Sequence, residues 1–342
     1  MIKFTDGLTF DDVLLAPKGS SIYSRKNVDL TANLFKDNFL ACPIISANMD
    51  TVTEGEMAFT MHSLGGLGII HRFLEPQLQK QEVMNQNGHR ILAIGVKPSD
   101  IELVRDARSR IDGVLIDVAH GHSERVIELI RYLKKEFPML PVIAGNVATF
   151  DGAMALIEAG ASSIKVGVGP GSVCTTRIVT GCGVPQLTAI MEVRRAIDCA
   201  DTYDHYEITL IADGGIRTSG DIVKALAAGA NTVMVGSLFS GTDETPGVKI
   251  QIDGKDHKIF RGMASKNAQR SIGVDRAAEG VEVNIPCKGS VIPIFNELVD
   301  GIRSGLSYLN CHNLSELHET EIEMIRMSHA GHIESHPHAT RK

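Results

Sequence analysis

Residues Gly113–Gly169, GVLIDVAHGHSERVIELIRYLKKEFPMLPVIAGNVATFDGAMALIEAGASSIKVGVG, alternate between two periodicities. GVLID, PVIAGNVA and SSIKVGVG are short apolar runs of the kind found in strands covered on both faces. Between them SERVIELIRYLKKEF and FDGAMALIEAG repeat their apolar residues at helical spacing. Such a series is the unit of a parallel sheet with crossover helices. The same alternation extends outward in both directions. PIISANM from Pro43, GLGIIH from Gly66 and ILAIGV from Ile91 precede it; ITLIADGG from Ile208, SGDIVKALAAGA from Ser219 and TVMVGSL from Thr232 follow. Eight strands with intervening helices fit a closed (β/α)8 barrel, the TIM-barrel fold of the α/β class, better than a doubly wound sheet.

Seven of the eight strands end in a polar or glycine-rich cluster: ANMDT, HR, DVAHGHS, GNVAT, GVGPGSVCTTR, ADGGIRTSG, GSLFSG. In this fold the C-terminal ends of the strands build the active site, so these clusters are expected to converge on one mouth. Residues 1–42 form an N-terminal extension, expected to be a hairpin closing the barrel's bottom or edge. Residues 240–292 form an insertion after the eighth strand; within it IQIDGKDHKIFRG reads as a hairpin turning on Asp-Gly, and a mobile flap is expected. The catalytic domain is taken as residues 1–311 and the rest, 312–342, as a frayed polar tail. The tail's His329, His332, His336 and His338 lack the companion ligands of a metal site.

Of the 342 residues, 43% are hydrophobic and 22% charged, the proportions of a folded globular protein. No apolar run is long enough to cross a bilayer and the N-terminus lacks a signal-peptide core, so no membrane partner and a cytoplasmic address are expected. A net charge of -7 argues against nucleic acid as a partner. The six cysteines form no C-x-x-C pair.

One cysteine stands apart. In KVGVGPGSVCTTR, Lys165–Arg177, glycines and a proline allow main-chain groups to approach a ligand. Ser172 and adjacent amides suit a phosphate, and carbonyls at Gly169, Gly171 and Cys174 suit a monovalent cation. Cys174 lies at the tip, beside Thr175, Thr176 and Arg177, an electropositive setting that favours a nucleophilic thiolate. In ADGG, Asp213 offers a carboxylate to a ribose diol and Gly215 an amide to a phosphate. Gly236 and Ser237 offer amides and a hydroxyl after the eighth strand, where phosphates recur in this fold. A phosphorylated ribose compound is the expected ligand.

TFDDVLLAP, SANMDTVTE, GVGPGSVCTTR, IADGGIRTSGDIVKALAAGA and GSLFSGTDETPG, in this order between residues 9 and about 309, resemble the IMP dehydrogenase and GMP reductase superfamily. The resemblance implies a purine nucleotide (GMP or IMP) at the barrel mouth, a nicotinamide cofactor beside it, a K+ ion in the cysteine loop, and Cys174 bonded to purine C2. It assigns proton handling to Thr176 and Glu279, substrate contacts to Met263 and Arg276, and cofactor contacts to Ser24, Arg25, Arg72, Asp117, Val118 and Ala119. A further cofactor segment, Ser304, Gly305, Leu306 and Ser307, is implied to come from the adjacent subunit of a homotetramer.

Two branches share the covalent step. Most dehydrogenases of the family carry inserted CBS regulatory domains and a flap Arg-Tyr pair that activates water. Here consecutive strands leave no room for an insertion and no tyrosine occurs between Tyr206 and Tyr308. DRAAEG and DVAHGHSE also resemble the reductase. The expectation is therefore GMP reductase, using NADPH to convert GMP to IMP and ammonia. The alternative is an IMP dehydrogenase without CBS domains, oxidising IMP to XMP with NAD.

Overall fold

The computed structural model describes residues 2–204, 207–271, 273 and 277–337. Eight parallel strands form one sheet: β1 (Ile44–Ser46), β2 (Leu67–Gly68), β3 (Ile91–Ile94), β4 (Gly113–Asp117), β5 (Val142–Val147), β6 (Ser163–Val166), β7 (Thr209–Asp213) and β8 (Thr232–Val235). Its spatial order is β2-β1-β8-β7-β6-β5-β4-β3, so the first and last strands of the repeat meet and the sheet curls into the (β/α)8 form. The seam between β2 and β3 carries no ladder among the described residues.

Alternation along each strand explains two apolar layers. Ile45, Leu67, Ile91, Ala93, Leu115, Ile143, Ile211 and Met234 pack into an inner core, while neighbours such as Leu92, Ile94, Val114 and Val142 belong to the outer core with the helices. The helix Glu124–Glu136 contributes Val126, Leu129, Ile130 and Leu133 to that outer layer, the spacing read from SERVIELIRYLKKEF. The extension does close the barrel floor. Its antiparallel strands Ala32–Phe35 and Asn38–Leu40 place Leu34, Phe35 and Leu40 in the inner core, and the Thr209 hydroxyl donates to the Leu34 carbonyl at the start of β7.

The insertion after β8 folds as three antiparallel strands, Ile250–Ile252, Lys255–Arg261 and Glu282–Pro286. Asp253 and Gly254, with φ of 50° and 72°, form the two-residue turn that the Asp-Gly pair predicts. Its root is not loose. Arg261 pairs with Asp50 in the loop after β1, and Cys174 forms an antiparallel bridge with Gly280. The segment past residue 311 is likewise folded rather than frayed: Met324–Arg326 pairs antiparallel with Val13–Leu15, and His329–Glu334 is a helix. Its polar composition concealed this, because a three-residue edge strand needs few apolar side chains. No helix among the described residues is long and apolar enough to cross a membrane.

Candidate active site

The strand ends converge on one open cleft of about 1110 Å³. Of the residues singled out in the sequence, it brings together Arg72, Asp117, Val118, Ala119, Gly169, Gly171, Cys174, Thr176, Asp213, Met263 and Glu279. Ser172, Gly215, Gly236 and Ser237 are outside its lining, on the loops after β6, β7 and β8. Arg276, like His338, lies outside the described residues.

Cys174 is half-buried, and its thiol donates to Thr176 Oγ1 at 3.2 Å, whose hydroxyl donates to Glu279 Oε2 at 2.9 Å. The carboxylate belongs to the insertion, 103 positions further along the chain, and the backbone fixes it there. Thr175 N–H donates to the Glu279 carbonyl at 3.0 Å, and Val281 N–H to the Val173 carbonyl at 2.9 Å. A thiol, a hydroxyl and a carboxylate thus form one hydrogen-bonded chain, suited to nucleophilic attack followed by proton transfer. Arg177 does not supply the expected positive charge at the thiol. Its guanidinium turns away, Nε donating to the Val168 carbonyl and Nη2 to the Val184 carbonyl.

The floor of the cleft holds a buried ion cluster. Lys165 Nζ lies 2.7 Å from Asp213 Oδ2 and 3.1 Å from Asp117 Oδ1, and Asn146 Nδ2 donates to Asp213 Oδ2 at 2.9 Å. Gly145 makes room for this bridge, since a Cβ there would sit 2.7 Å from the Lys165 Cβ. Burial alone would push the Asp117 carboxyl up. The Lys165 and Arg72 charges more than reverse it, holding the group below its ordinary range. Burial opposes the Lys165 charge too, and Asp213 and Asp117 together raise its pKa. Arg72 Nε donates to the Asp117 carbonyl at 3.0 Å, and its guanidinium lies 4.8 Å from the centre of the Phe73 ring. Thr218, not Asp213, caps the following helix, Ser219–Ala227, which leaves Asp213 facing the mouth.

Lys165 was missed as a functional residue. The available signal was a charge within an otherwise apolar central strand, where a lysine must meet carboxylates. Removing it by Lys165→Met would leave the half-buried Asp117 with only Arg72 as a charged partner, so we expect stability at neutral pH to fall by about 3 kcal/mol. In the wild type, the depressed Asp117 pKa contributes stability above the ordinary carboxylate range, and this is lost as pH falls through the depressed value. In the variant burial is opposed only by the Arg72 charge and the Asn48 hydrogen bond, so the Asp117 pKa rises from its wild-type position and the deficit should shrink on acidification. Urea unfolding of both proteins at pH 7.5 and pH 5 checks this.

The remaining cofactor residues form a separate group. Ser24 and Arg25 sit at the outer end of the helix Val291–Tyr308, with the Arg25 guanidinium 5.8 Å from the Tyr308 ring centre. In that helix Leu306 and Ser307 are buried, and a Cβ at Gly305 would meet Val223, so these positions pack against a neighbouring helix. None lines the cleft.

Fold and site together define a (β/α)8-barrel enzyme with a thiol–hydroxyl–carboxylate chain at its C-terminal mouth. A family model described as "IMP dehydrogenase / GMP reductase domain" matches residues 7–338, and the chain belongs to that family. It is therefore an oxidoreductase. Similar curated proteins include the inosine-5'-monophosphate dehydrogenases of Nitrosopumilus maritimus (36% identity, 98% of this chain and 99% of the relative), Aquifex aeolicus (35%, 98% and 96%) and Borreliella burgdorferi (37%, 97% and 97%). The first alignment spans 478 positions against 342 residues here, so that relative has at least 136 positions without a counterpart. The longest connection between consecutive barrel strands in this chain, residues 167–208, holds the helices Thr176–Thr180 and Gln186–Asp204.

These relatives overturn the expectation of a GMP reductase. That expectation rested on the missing Arg-Tyr pair, on the lack of room for CBS domains and on the likeness of DRAAEG and DVAHGHSE to the reductase; the absence of one base does not show which base is present, and short motifs shared by both branches do not separate them. Thr176 and Glu279 sit beside the Cys174 thiol, and a hydroxyl and a carboxylate there suit the departure of an amine and the attack of water equally.

Proposed function

We propose that the protein oxidises IMP to XMP with NAD, as an IMP dehydrogenase without inserted regulatory domains. The observation that carries this reading is the Cys174–Thr176–Glu279 chain, in a protein whose similar curated relatives bear that name across nearly their full length. The Cys174 thiolate adds to C2 of the purine, and the resulting adduct loses the C2 hydrogen as hydride. The bound nicotinamide supplies the acceptor for that hydride. Water then attacks C2, Glu279 taking its proton through the Thr176 hydroxyl, and the thiolate departs as XMP forms.

The rest of the cleft fits the two ligands. Among the described residues, the main-chain N–H groups of Ser172, Gly214, Gly215, Gly236, Ser237 and Leu238 have no protein acceptor, which suits a phosphate on the loops after β6, β7 and β8. Asp213, at the end of β7, is assigned to the ribose diol. Arg72, Asp117, Val118 and Ala119 lie in the β2–β4 sector, across the mouth from those loops, and are assigned to the nicotinamide half of the cofactor. The Gly169 and Cys174 carbonyls accept no hydrogen bond among the described residues, while that of Gly171 accepts from Cys174 N–H at 3.1 Å. With three such oxygens the loop suits a monovalent cation such as K+, which would hold the thiol-bearing turn in shape. The outer group of Ser24, Arg25 and Ser304–Ser307 is assigned to a neighbouring subunit's cofactor, and a homotetramer is proposed with it.

Purified protein with IMP and NAD should form NADH and XMP in equal amounts, whereas GMP with NADPH should cause no loss of nicotinamide absorbance. NADPH consumption with release of ammonia from GMP would reject this reading.

A further inference from the structure

The turn after β8 is held from behind by two lysines that neither the fold nor the chemistry above has used. Lys288, just past the strand Glu282–Pro286, donates from Nζ to the carbonyls of Ser237 and Leu238, each at 3.0 Å. Its own N–H donates to the Gly241 carbonyl at 2.9 Å. Lys258, on the strand Lys255–Arg261, is buried and donates to the carbonyls of Thr242 (3.0 Å), Asp243 (3.1 Å) and Thr245 (2.6 Å). The Gly236 carbonyl is engaged as well, accepting from Phe239 N–H and Ser240 N–H.

Acceptors and donors of this turn therefore separate. Every carbonyl from Gly236 to Leu238 is engaged, while the N–H groups of the same three residues and the Ser237 hydroxyl have no protein partner among the described residues. Because each peptide is planar, a held carbonyl fixes the N–H of the following residue: Lys288 sets the N–H groups of Leu238 and Phe239, and the Phe239 N–H in turn holds the Gly236 carbonyl, which sets the N–H of Ser237. An ammonium behind the turn also adds positive potential on the side an anion approaches. We propose that Lys288 is a positioning residue for the substrate's 5'-phosphate, orienting the Leu238 amide directly and the Ser237 amide through the Phe239 N–H, with Lys258 anchoring the next stretch of the same loop. This inference rests on the nucleotide reading above and adds to it a residue that never touches the substrate.

The test is calorimetric titration of the full-length protein with IMP, alongside steady-state kinetics and competitive inhibition by inosine, which lacks the phosphate. Lys288→Met should weaken IMP binding about tenfold and raise the KM for IMP alike, with kcat within about twofold and the inosine inhibition constant unchanged. Lys288→Arg, which keeps a charged donor, should restore IMP binding to within about threefold of wild type. Should Lys288→Met fail to fold, Lys288→Ala is read in the same way. The proposal is overturned if IMP binding is unaffected, or if inosine and IMP weaken in parallel, which would mark general damage to the cleft. Wild-type protein that binds IMP without oxidising it would reject the proposed reaction while leaving the Lys288 comparison readable; wild-type protein that does not bind IMP would reject both.

Discussion

Cys174→Ala is expected to leave no measurable NADH formation, a loss of more than about 10⁴ in kcat, as follows when a covalent nucleophile is deleted. IMP should still bind within about tenfold of wild type, a difference of about 1.4 kcal/mol. The two expectations separate because the groups assigned to phosphate and ribose lie on the loops after β6, β7 and β8, and the Cys174 backbone is held independently of its side chain. The Cys174 N–H donates to the Gly171 carbonyl, and Thr175 N–H to the Glu279 carbonyl, whatever the side chain at 174. Stopped-flow absorbance for turnover and calorimetry for binding check both halves. Residual turnover above a thousandth of wild type would remove the thiol from the reaction.

Glu279→Gln carries the second large effect, and its sign distinguishes the two chemical steps. Hydrolysis needs a base for the attacking water, and a positioned base contributes about 10² to 10⁴ in rate. Hydride departure from C2 needs none. Steady-state XMP formation should fall by about that factor, while the first turnover still releases NADH within about tenfold of the wild-type rate. A burst of NADH followed by a slow steady state is the expected trace. The substitution is nearly isosteric, and the backbone bonds of Glu279 to Ala264 and Thr175 do not depend on its side chain. If burst and steady state decline together, Glu279 acts in the hydride step or in shaping the flap.

The barrel was legible because its signals are local. Each apolar run, each helical repeat and the Asp253-Gly254 turn is written within fewer than about twenty residues, and the order of elements then leaves few topologies. The cysteine loop was legible for the same reason. What escaped the sequence was long-range. Lys165 gains its meaning only beside Asp117 and Asp213, on strands that the barrel brings together across Gly145. Arg177, three residues after Cys174, points away because the carbonyls of Val168 and Val184 capture it. Pairing of Met324–Arg326 with Val13–Leu15 joins the two ends of the chain, and neither segment announces its partner. The choice between branches failed for a different reason. It was argued from a missing tyrosine, an absent insertion and two short motifs, and the hydroxyl and carboxylate that can serve water attack are the same two groups that can serve amine departure.

In the proposed mechanism purine C2 is bonded to Cys174 during turnover and released by Glu279-dependent hydrolysis. The most direct measurement of this is peptide mass spectrometry of Glu279→Gln quenched in acid during the burst with IMP and NAD. The peptide containing Cys174 should gain the mass of a purine nucleotide in proportion to the NADH formed, and no such adduct should appear in Cys174→Ala. NADH formed in the burst with Cys174 unmodified would contradict it.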